Sequence, residues 1–182
     1  MQDFDPQQYL KDAELLHSDL EVQLALSNIA AQLNRDYASE SPIVLCVMGG
    51  GVIFTGMLLP KLLFPLEFDY VQASRYHGAT VGQNLEWVIK PKQSIKNRTV
   101  LILDDILDEG VTMRAIVDEC KQLGAKSVKV AVLADKALSQ SKPIFADYIG
   151  LTVPNRYVFG CGMDVYGWWR NLSAIYALPD GK

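Results

Sequence analysis

Apolar positions fall along the chain as short continuous runs separated by stretches of helical periodicity, a pattern of doubly covered strands alternating with helices that predicts an α/β fold. The clearest run is Val100 to Leu103, which ends on Asp104 and Asp105, turns, and leads into Met113 to Leu123, a helical stretch closed by Gly124. Ile43 to Met48, opened by Pro42, has the same strand character; it stops at Gly49-Gly50-Gly51 and restarts as a helix-like Val52 to Leu63. Phe68 to Ala73 and Ser127 to Leu133 predict two more strands, Leu85 to Lys90 a returning one, and Asp147 to Leu151 and Tyr157 to Phe159 two short ones. Residues 1 to about 37 predict helix, with Ser18 and Glu21 in the capping-box relation and a stripe of Leu20, Leu24, Leu26, Ile29, Ala30 and Leu33 that suits a packing or oligomer layer.

Size changes this picture little: 182 residues, 49% of them apolar, suffice for one good core and one domain with a small appendage. The net charge of −4 offers no general attraction for nucleic acid or an anionic membrane. No apolar run reaches the ~18 residues of a membrane span, and the N-terminus lacks the basic and apolar regions of a signal peptide, so a cytoplasmic protein is expected. Cys46, Cys120 and Cys161 are far apart, without metal-ligand spacing, and read as reduced packing residues. His17, just before the helix cap, is expected to be solvent-exposed.

Candidate chemistry concentrates after the Val100 strand, because ligands of open α/β sheets bind beyond the carboxyl ends of strands. That turn gathers Asp104, Asp105, Asp108 and Glu109, whose mutual repulsion calls for a cation or for hydrogen-bond donors, while Gly110 and an N-cap hydroxyl on Thr112 prepare an anion site. Acceptors beside donors suit a sugar phosphate. The three glycines at 49–51 let backbone approach an anion, but equally suit a turn needing positive φ; no Gly-Lys-Ser/Thr ending or Gly-x-Gly-x-x-Gly spacing accompanies them. Ser74 to Gly82, holding Arg75, Tyr76 and His77, reads as a loop able to close over ligand. Lys92, Lys96 and Arg98 read as a solvated face, and Lys136 as a lysine immediately past a strand on the ligand side of the sheet. Gly160 to Asp164 and Tyr166, Trp168, Trp169 and Arg170 form a hood, with an aromatic face suited to a planar heterocycle and the tryptophans assigned to packing.

In this order the features resemble the phosphoribosyltransferases. Leu101-Ile102-Leu103-Asp104-Asp105-Ile106-Leu107-Asp108-Glu109-Gly110-Val111-Thr112 is similar to the family's phosphoribosyl-pyrophosphate motif of apolar residues, two acids, two apolar residues and an Asp-x-Gly-x-Thr turn. The resemblance runs from about Ile43 to Leu172, and Lys136, Asn155 to Asp164 and Arg170-Asn171-Leu172 are similar to the purine-binding end of the hypoxanthine-guanine branch. It implies a type I phosphoribosyltransferase-like α/β domain over 1–182: a mostly parallel central sheet flanked by helices (core about 38–135), with a small hood from the N-terminal segment and about 136–182. It also implies transfer of 5-phosphoribosyl from phosphoribosyl pyrophosphate to N9 of hypoxanthine or guanine, with Mg2+ as cofactor, in a homodimer or homotetramer that engages neither nucleic acid nor membrane.

Carried over by position, Asp104 and Asp105 would hold the ribose hydroxyls, directly or through metal-bound water, and Asp108 would take the purine N7 proton. The backbone of Asp108, Glu109, Gly110, Val111 and Thr112 would cradle the 5′-phosphate. Gly49 and Gly50 would meet pyrophosphate under a lid holding Arg75 and Tyr76. Lys136 would reach the purine O6, Tyr157 would stack on the ring, the Val158 backbone would read the base edge, Asp164 would ligate magnesium and Arg170 would reach pyrophosphate. The chain departs from the family at Glu109, where a small hydroxyl residue is common and whose side chain must point away or be answered by a cation such as Arg114; at Val111 and Gly49, where some members carry Lys; and at Arg75, where the lid commonly has Ser before Tyr. Two other readings compete: a phosphoribosyltransferase-like, nucleotide-sensing regulator that binds nucleic acid, against which the acidic balance weighs, and a receiver domain, whose acidic pair would belong to the first strand instead of a later one.

Overall fold

The computed structural model describes residues 5–75 and 85–179, with the backbone alone described at Ser74, Arg75, Leu85 and Glu86. The expected contacts of the Arg75 side chain and of Tyr76, and most of the expected lid, therefore lie outside the described residues. Six strands form the central sheet: β2 (Ile43–Val47), β3 (Glu67–Arg75), β4 (Leu85–Ile89), β5 (Thr99–Leu107), β6 (Ser127–Lys136) and β7 (Tyr148–Val153). Their order is β4-β3-β2-β5-β6-β7, and every neighbouring pair is parallel except β3 with β4.

The sheet is covered on both faces, and the two-residue period of its strands sorts the core. Val44 of β2, Leu101 and Leu103 of β5 and Ala131 and Leu133 of β6 pack with Val22, Leu26, Ile29 and Leu33 of helix α2 (Asp19–Asp36) and with Phe54 and Leu58 of α3 (Gly51–Leu58). The intervening Ile43, Leu45, Ile102, Val130 and Val132 pack with Met113, Ile116, Val117 and Cys120 of α4 (Val111–Gln122). A second, antiparallel sheet, in the order β1-β9-β8, joins Glu14–His17 to Ile175–Ala177 and Val158–Phe159. It forms the hood, against which the short helix α1 (Pro6–Asp12) rests.

Strand order reverses between β2 and β5: from β2 the chain moves outward to β3, and from β5 it moves the other way to β6 and β7. A crevice opens beyond the carboxyl ends at such a reversal. Here its walls are the glycines after β2 and the acidic turn after β5.

Several expectations need correction. The N-terminal segment is two helices separated by β1, because Glu14 to His17 find a partner strand in β9, which the sequence reading missed. The Ser18–Glu21 capping box is present and Leu26, Ile29, Ala30 and Leu33 are buried as expected, but Leu20 and Leu24 are 70% and 57% exposed, and Val22 and Ala25 are buried in their place. α3 stops at Leu58 and continues only as a 3-10 turn, Leu59–Lys61, since Pro60 cannot extend it. β5 runs through the two aspartates to Leu107, and Lys136 is the last residue of β6 instead of lying beyond it. His17 is half-buried, with Nε2 3.0 Å from the Thr152 carbonyl. Of the expected solvated face, Lys92 and Lys96 are exposed, with Lys92 over the Tyr70 ring, but Arg98 is half-buried and tied down by the Ser41 carbonyl and Glu67. All three cysteines are free and buried, and burial raises their thiols, Cys120 to about 11 and Cys161 to about 12. Among the described residues no helix is long and apolar enough to cross a membrane.

Candidate active site

The end of β5 supplies the acidic pair. Asp104 accepts from the Asp105 N–H at 3.0 Å and Asp105 from the Ile106 N–H at 2.8 Å, so both carboxylates are oriented by the strand's own backbone. Burial, then the neighbouring Asp105 charge and hydrogen bond, pushes Asp104 well above the usual carboxylate range. Burial also raises Asp105, against the hydrogen bond from Asp104, the Ile106 N–H and the positive charge of Arg170. Two desolvated carboxyls that repel one another form a site that gains from an incoming cation or hydroxyl donors.

Two glycines make room for this pair. A Cβ on Gly50 would lie 2.1 Å from Asp105 Oδ2, and one on Gly162 would lie 2.2 Å from the Gly50 carbonyl oxygen. The acidic turn, the turn after β2 and the hood are thus stacked in contact, which only hydrogen side chains at 50 and 162 allow. Arg170 holds the hood turn from within by donating to the Gly162 carbonyl at 2.7 Å, and its other end pairs with Asp164 at 2.5 Å. Asp164 also accepts from the Gly167 N–H.

Beyond Asp105 the chain turns through Asp108 and Glu109 to Gly110, whose φ of +80° places it in the left-handed region as the N-cap of α4. The expected Thr112 cap is therefore corrected: Thr112 lies inside the first turn, and Gly110 makes no side-chain cap. α4 starts directly after the acidic turn, and the first N–H groups of a helix lie outside its internal hydrogen-bond ladder. Lys142, with a side chain only 7% exposed, anchors this turn from below by donating to the Leu107 carbonyl at 2.6 Å and to Asp135 at 2.7 Å. Arg114 forms an ion pair with Asp118, one helical turn on at 2.6 Å.

Two adjoining cavities share Asp105, Ile106 and Asp108. The larger, about 390 Å3, is lined by Gly50, Lys136, Tyr157, Val158, Met163, Asp164 and Arg170 as well. The smaller, about 220 Å3, is lined by Asp104, Glu109, Gly110, Thr112 and Met113 at the start of α4. Of the residues singled out in the sequence, Gly49 and Val111 line neither. Ile106, Met163, Gly162 and Lys142 were missed: the first two are apolar wall residues and carry no chemical signature, and Lys142 lies six positions past Lys136 in a loop. The hood's aromatics divide unexpectedly. Trp169 is fixed by its Nε1 donating to the Pro6 carbonyl, whereas Trp168 is 52% exposed. Tyr157 stacks on Tyr166 with ring centroids 5.6 Å apart.

A strand-order reversal with an acidic strand end, a helix start and a basic, aromatic hood beyond it is the arrangement of a phosphoribosyltransferase. The family model for the phosphoribosyl transferase domain matches residues 13–166, and the chain belongs to that family. Within it, the chain falls in the purine, hypoxanthine-guanine branch. It is 36% identical over 171 residues to the hypoxanthine-guanine phosphoribosyltransferase of Streptococcus pneumoniae, covering 92% of this chain and 93% of that one. To the hypoxanthine-guanine-xanthine phosphoribosyltransferase of Tritrichomonas foetus it is 34% identical over 167 residues, 91% of each. A solved hypoxanthine phosphoribosyltransferase from Staphylococcus aureus superposes with a TM-score of 0.87 at 28% identity, over 93% of this chain and 94% of that one.

Proposed function

We propose that this protein is a purine-salvage enzyme that transfers 5-phosphoribosyl from phosphoribosyl pyrophosphate to N9 of hypoxanthine or guanine, giving IMP or GMP and pyrophosphate. The observation that carries the reading is the juxtaposition of Lys136 and Asp108, 2.6 Å apart in the wall of the larger cavity, with the smaller cavity at the start of α4 adjoining them. A 6-oxopurine placed against Tyr157 presents its O6 to the Lys136 ammonium and its N7 proton to the Asp108 carboxylate, with the Val158 backbone at its edge. The smaller cavity offers the 5′-phosphate the N–H groups of the Gly110 turn and the Thr112 hydroxyl. Asp105 borders both cavities and Asp104 the smaller one, where the pair would meet the ribose hydroxyls.

The chemistry follows from these positions. As the C1′–oxygen bond to pyrophosphate breaks and the C1′–N9 bond forms, positive charge builds on the ribose, and the carboxylates of Asp104 and Asp105 stabilise it. Asp108 accepts the N7 proton as N9 bonds, so the nucleotide leaves neutral at the base. Arg170 meets the charge departing with pyrophosphate, and Gly50 lets backbone approach it.

Magnesium fits the donor set. Its usual partners are one or two carboxylates together with substrate phosphates and water, not a closed protein cage, and among the described residues no cluster of three ligands exists. Asp164, or the Asp104–Asp105 pair, would supply its protein carboxylates; when bound, it would neutralise pyrophosphate and improve it as a leaving group. Asp164, paired with Arg170 in its absence, would turn one carboxylate oxygen to the metal.

The same reading carries a cytoplasmic location and a homodimer or homotetramer, the latter supported by the exposed Leu20 and Leu24 on α2. Nothing in the site or among the relatives supports a nucleic-acid-binding regulator. The reading is tested by mixing the purified protein with magnesium, phosphoribosyl pyrophosphate and hypoxanthine or guanine: IMP or GMP must form, and the reading fails if neither appears.

A further inference from the structure

We propose that Tyr166 is a positioning residue for the base: the second layer of an aromatic stack that holds the Tyr157 ring where it meets the purine, with Tyr9 of α1 as the third layer. The proposal rests on the base-site reading above. Val165 and Trp168 form an antiparallel bridge with both backbone hydrogen bonds at 3.0 Å, so Tyr166 and Gly167 are the two central residues of a tight turn. Their φ values are +51° and +90°, the signs of a type I′ hairpin turn, in which Asn or Gly is the favoured first residue. A bulky aromatic residue held in the left-handed region is disfavoured by its own Cβ, and such conformations persist where the surroundings reward them.

The reward visible here is the placement of the ring. Tyr166 lies between Tyr157, at 5.6 Å and 28°, and Tyr9, at 5.4 Å and 48°. Tyr157 lines the larger cavity and Tyr166 does not, so any effect of Tyr166 on a ligand passes through the ring of Tyr157. Tyr157 is 41% exposed and would otherwise be free to rotate away; a ring behind it removes that freedom before substrate arrives. The third layer is held in turn. The seven residues of α1 are too few for a stable isolated helix, and they are anchored by Trp169 donating to the Pro6 carbonyl and by Tyr9 and Leu10 packing against Phe159, Val165 and Leu178. The N-terminal helix thereby becomes part of the support of the base site.

The test uses Tyr166→Gly and Tyr166→Phe in the full chain. Glycine relieves the left-handed strain, so Y166G should melt at or above the wild-type temperature, which separates positioning from folding. Its KM for hypoxanthine should nevertheless rise about 3- to 10-fold, as expected for loss of one aromatic pair, with KM for phosphoribosyl pyrophosphate within about twofold of wild type. Y166F should bring the purine KM back toward wild type. An unchanged purine KM in Y166G, or equal rises in both KM values, overturns the proposal. Calorimetric binding of GMP to wild type and Y166G separates this from the transfer reading. Wild type that binds GMP without turnover sinks the transfer reaction alone, and weaker GMP binding by Y166G, by the same factor, then supports the stack. Equal GMP binding by the two proteins, or none by wild type, overturns it.

Discussion

Lys136 Nζ donates to Asp108 Oδ2 over 2.6 Å, so the two groups assigned to the purine satisfy one another when no base lies between them. The Lys136 side chain is only 11% exposed, whereas that of Asp108 is 50% exposed, and the pair therefore keeps a nearly buried ammonium neutralised from its open side. A 6-oxopurine can enter without orphaning either, since it offers an acceptor to the lysine and a proton to the carboxylate. Adenine offers an amino group where the ammonium needs an acceptor, and should be a poor substrate.

Replacing Lys136 by Ala removes a charge-assisted hydrogen bond to the base, a loss of about 1.5–3 kcal/mol or roughly 10- to 150-fold in kcat/KM for hypoxanthine and guanine. Binding of phosphoribosyl pyrophosphate, followed by calorimetry, should change by less than about threefold. An equal loss of both would remove Lys136 from the base site.

The buried acidic pair makes stability and activity pull in opposite directions. Asp104 and Asp105 both have raised folded-state pKa values, so their ionised forms weaken the fold at neutral pH; the penalty shrinks as pH falls through the folded value and vanishes below the unfolded one. Asp104→Asn should accordingly stabilise the metal-free protein at pH 8 by about 1–3 kcal/mol while abolishing most transfer activity. Its melting advantage over wild type should narrow as pH is lowered from 8 toward 4, and an advantage that grew with acidity would contradict the assigned repulsion.

Gly50 and Gly162 should fail differently when given a methyl group. At 50 the clash is with the end of the Asp105 side chain, which can swing away, so Gly50→Ala should fold but lose at least about tenfold in kcat. At 162 the clash is with the Gly50 backbone at a φ of +106°, so Gly162→Ala should cost about 2–4 kcal/mol of stability as well. Chemical denaturation alongside steady-state rates distinguishes the two outcomes.

Lys142 is predicted to hold the phosphate turn although it touches neither cavity. Lys142→Met leaves the Leu107 carbonyl and Asp135 without their shared partner, at a cost of about 2–3 kcal/mol, less than for a fully buried pair because Asp135 remains 27% exposed. The Gly110 turn packs on Lys142, Pro143 and Ile144, so KM for phosphoribosyl pyrophosphate should rise about 3- to 10-fold while KM for hypoxanthine moves less. A variant of lowered melting temperature with both KM values intact would reduce Lys142 to a purely structural role.

What could be read from the chain tracks how local the signal was. The run from Val100 to Thr112 carried its strand, its acids and its helix start within thirteen consecutive residues, and the parallel strands announced themselves as unbroken apolar runs because both faces are covered. β9 was invisible because Ile175 to Ala177 are strand by pairing with distant segments, Glu14 to His17 more than 150 positions away on one side and Val158–Phe159 on the other. For the same reason Glu14 to His17 passed as helix. On α2 the expected Leu26, Ile29, Ala30 and Leu33 are buried, but the start of the stripe was drawn on Leu20 and Leu24 instead of Val22 and Ala25, because hydropathy does not say which of two apolar edges meets the sheet. Lys142 and Tyr166 were unreadable for a further reason: their contributions lie in what they hold, a carbonyl in one case and another ring in the other.

The central claim is decided most directly by one assay in which protein, magnesium and phosphoribosyl pyrophosphate are supplied in parallel with hypoxanthine, guanine, xanthine and adenine, and nucleotide and pyrophosphate are quantified together. The account predicts IMP and GMP, each in equal amount with pyrophosphate, and little or no AMP. Pyrophosphate or nucleotide from adenine at the rate seen with hypoxanthine, or no nucleotide from any of the four, would contradict it.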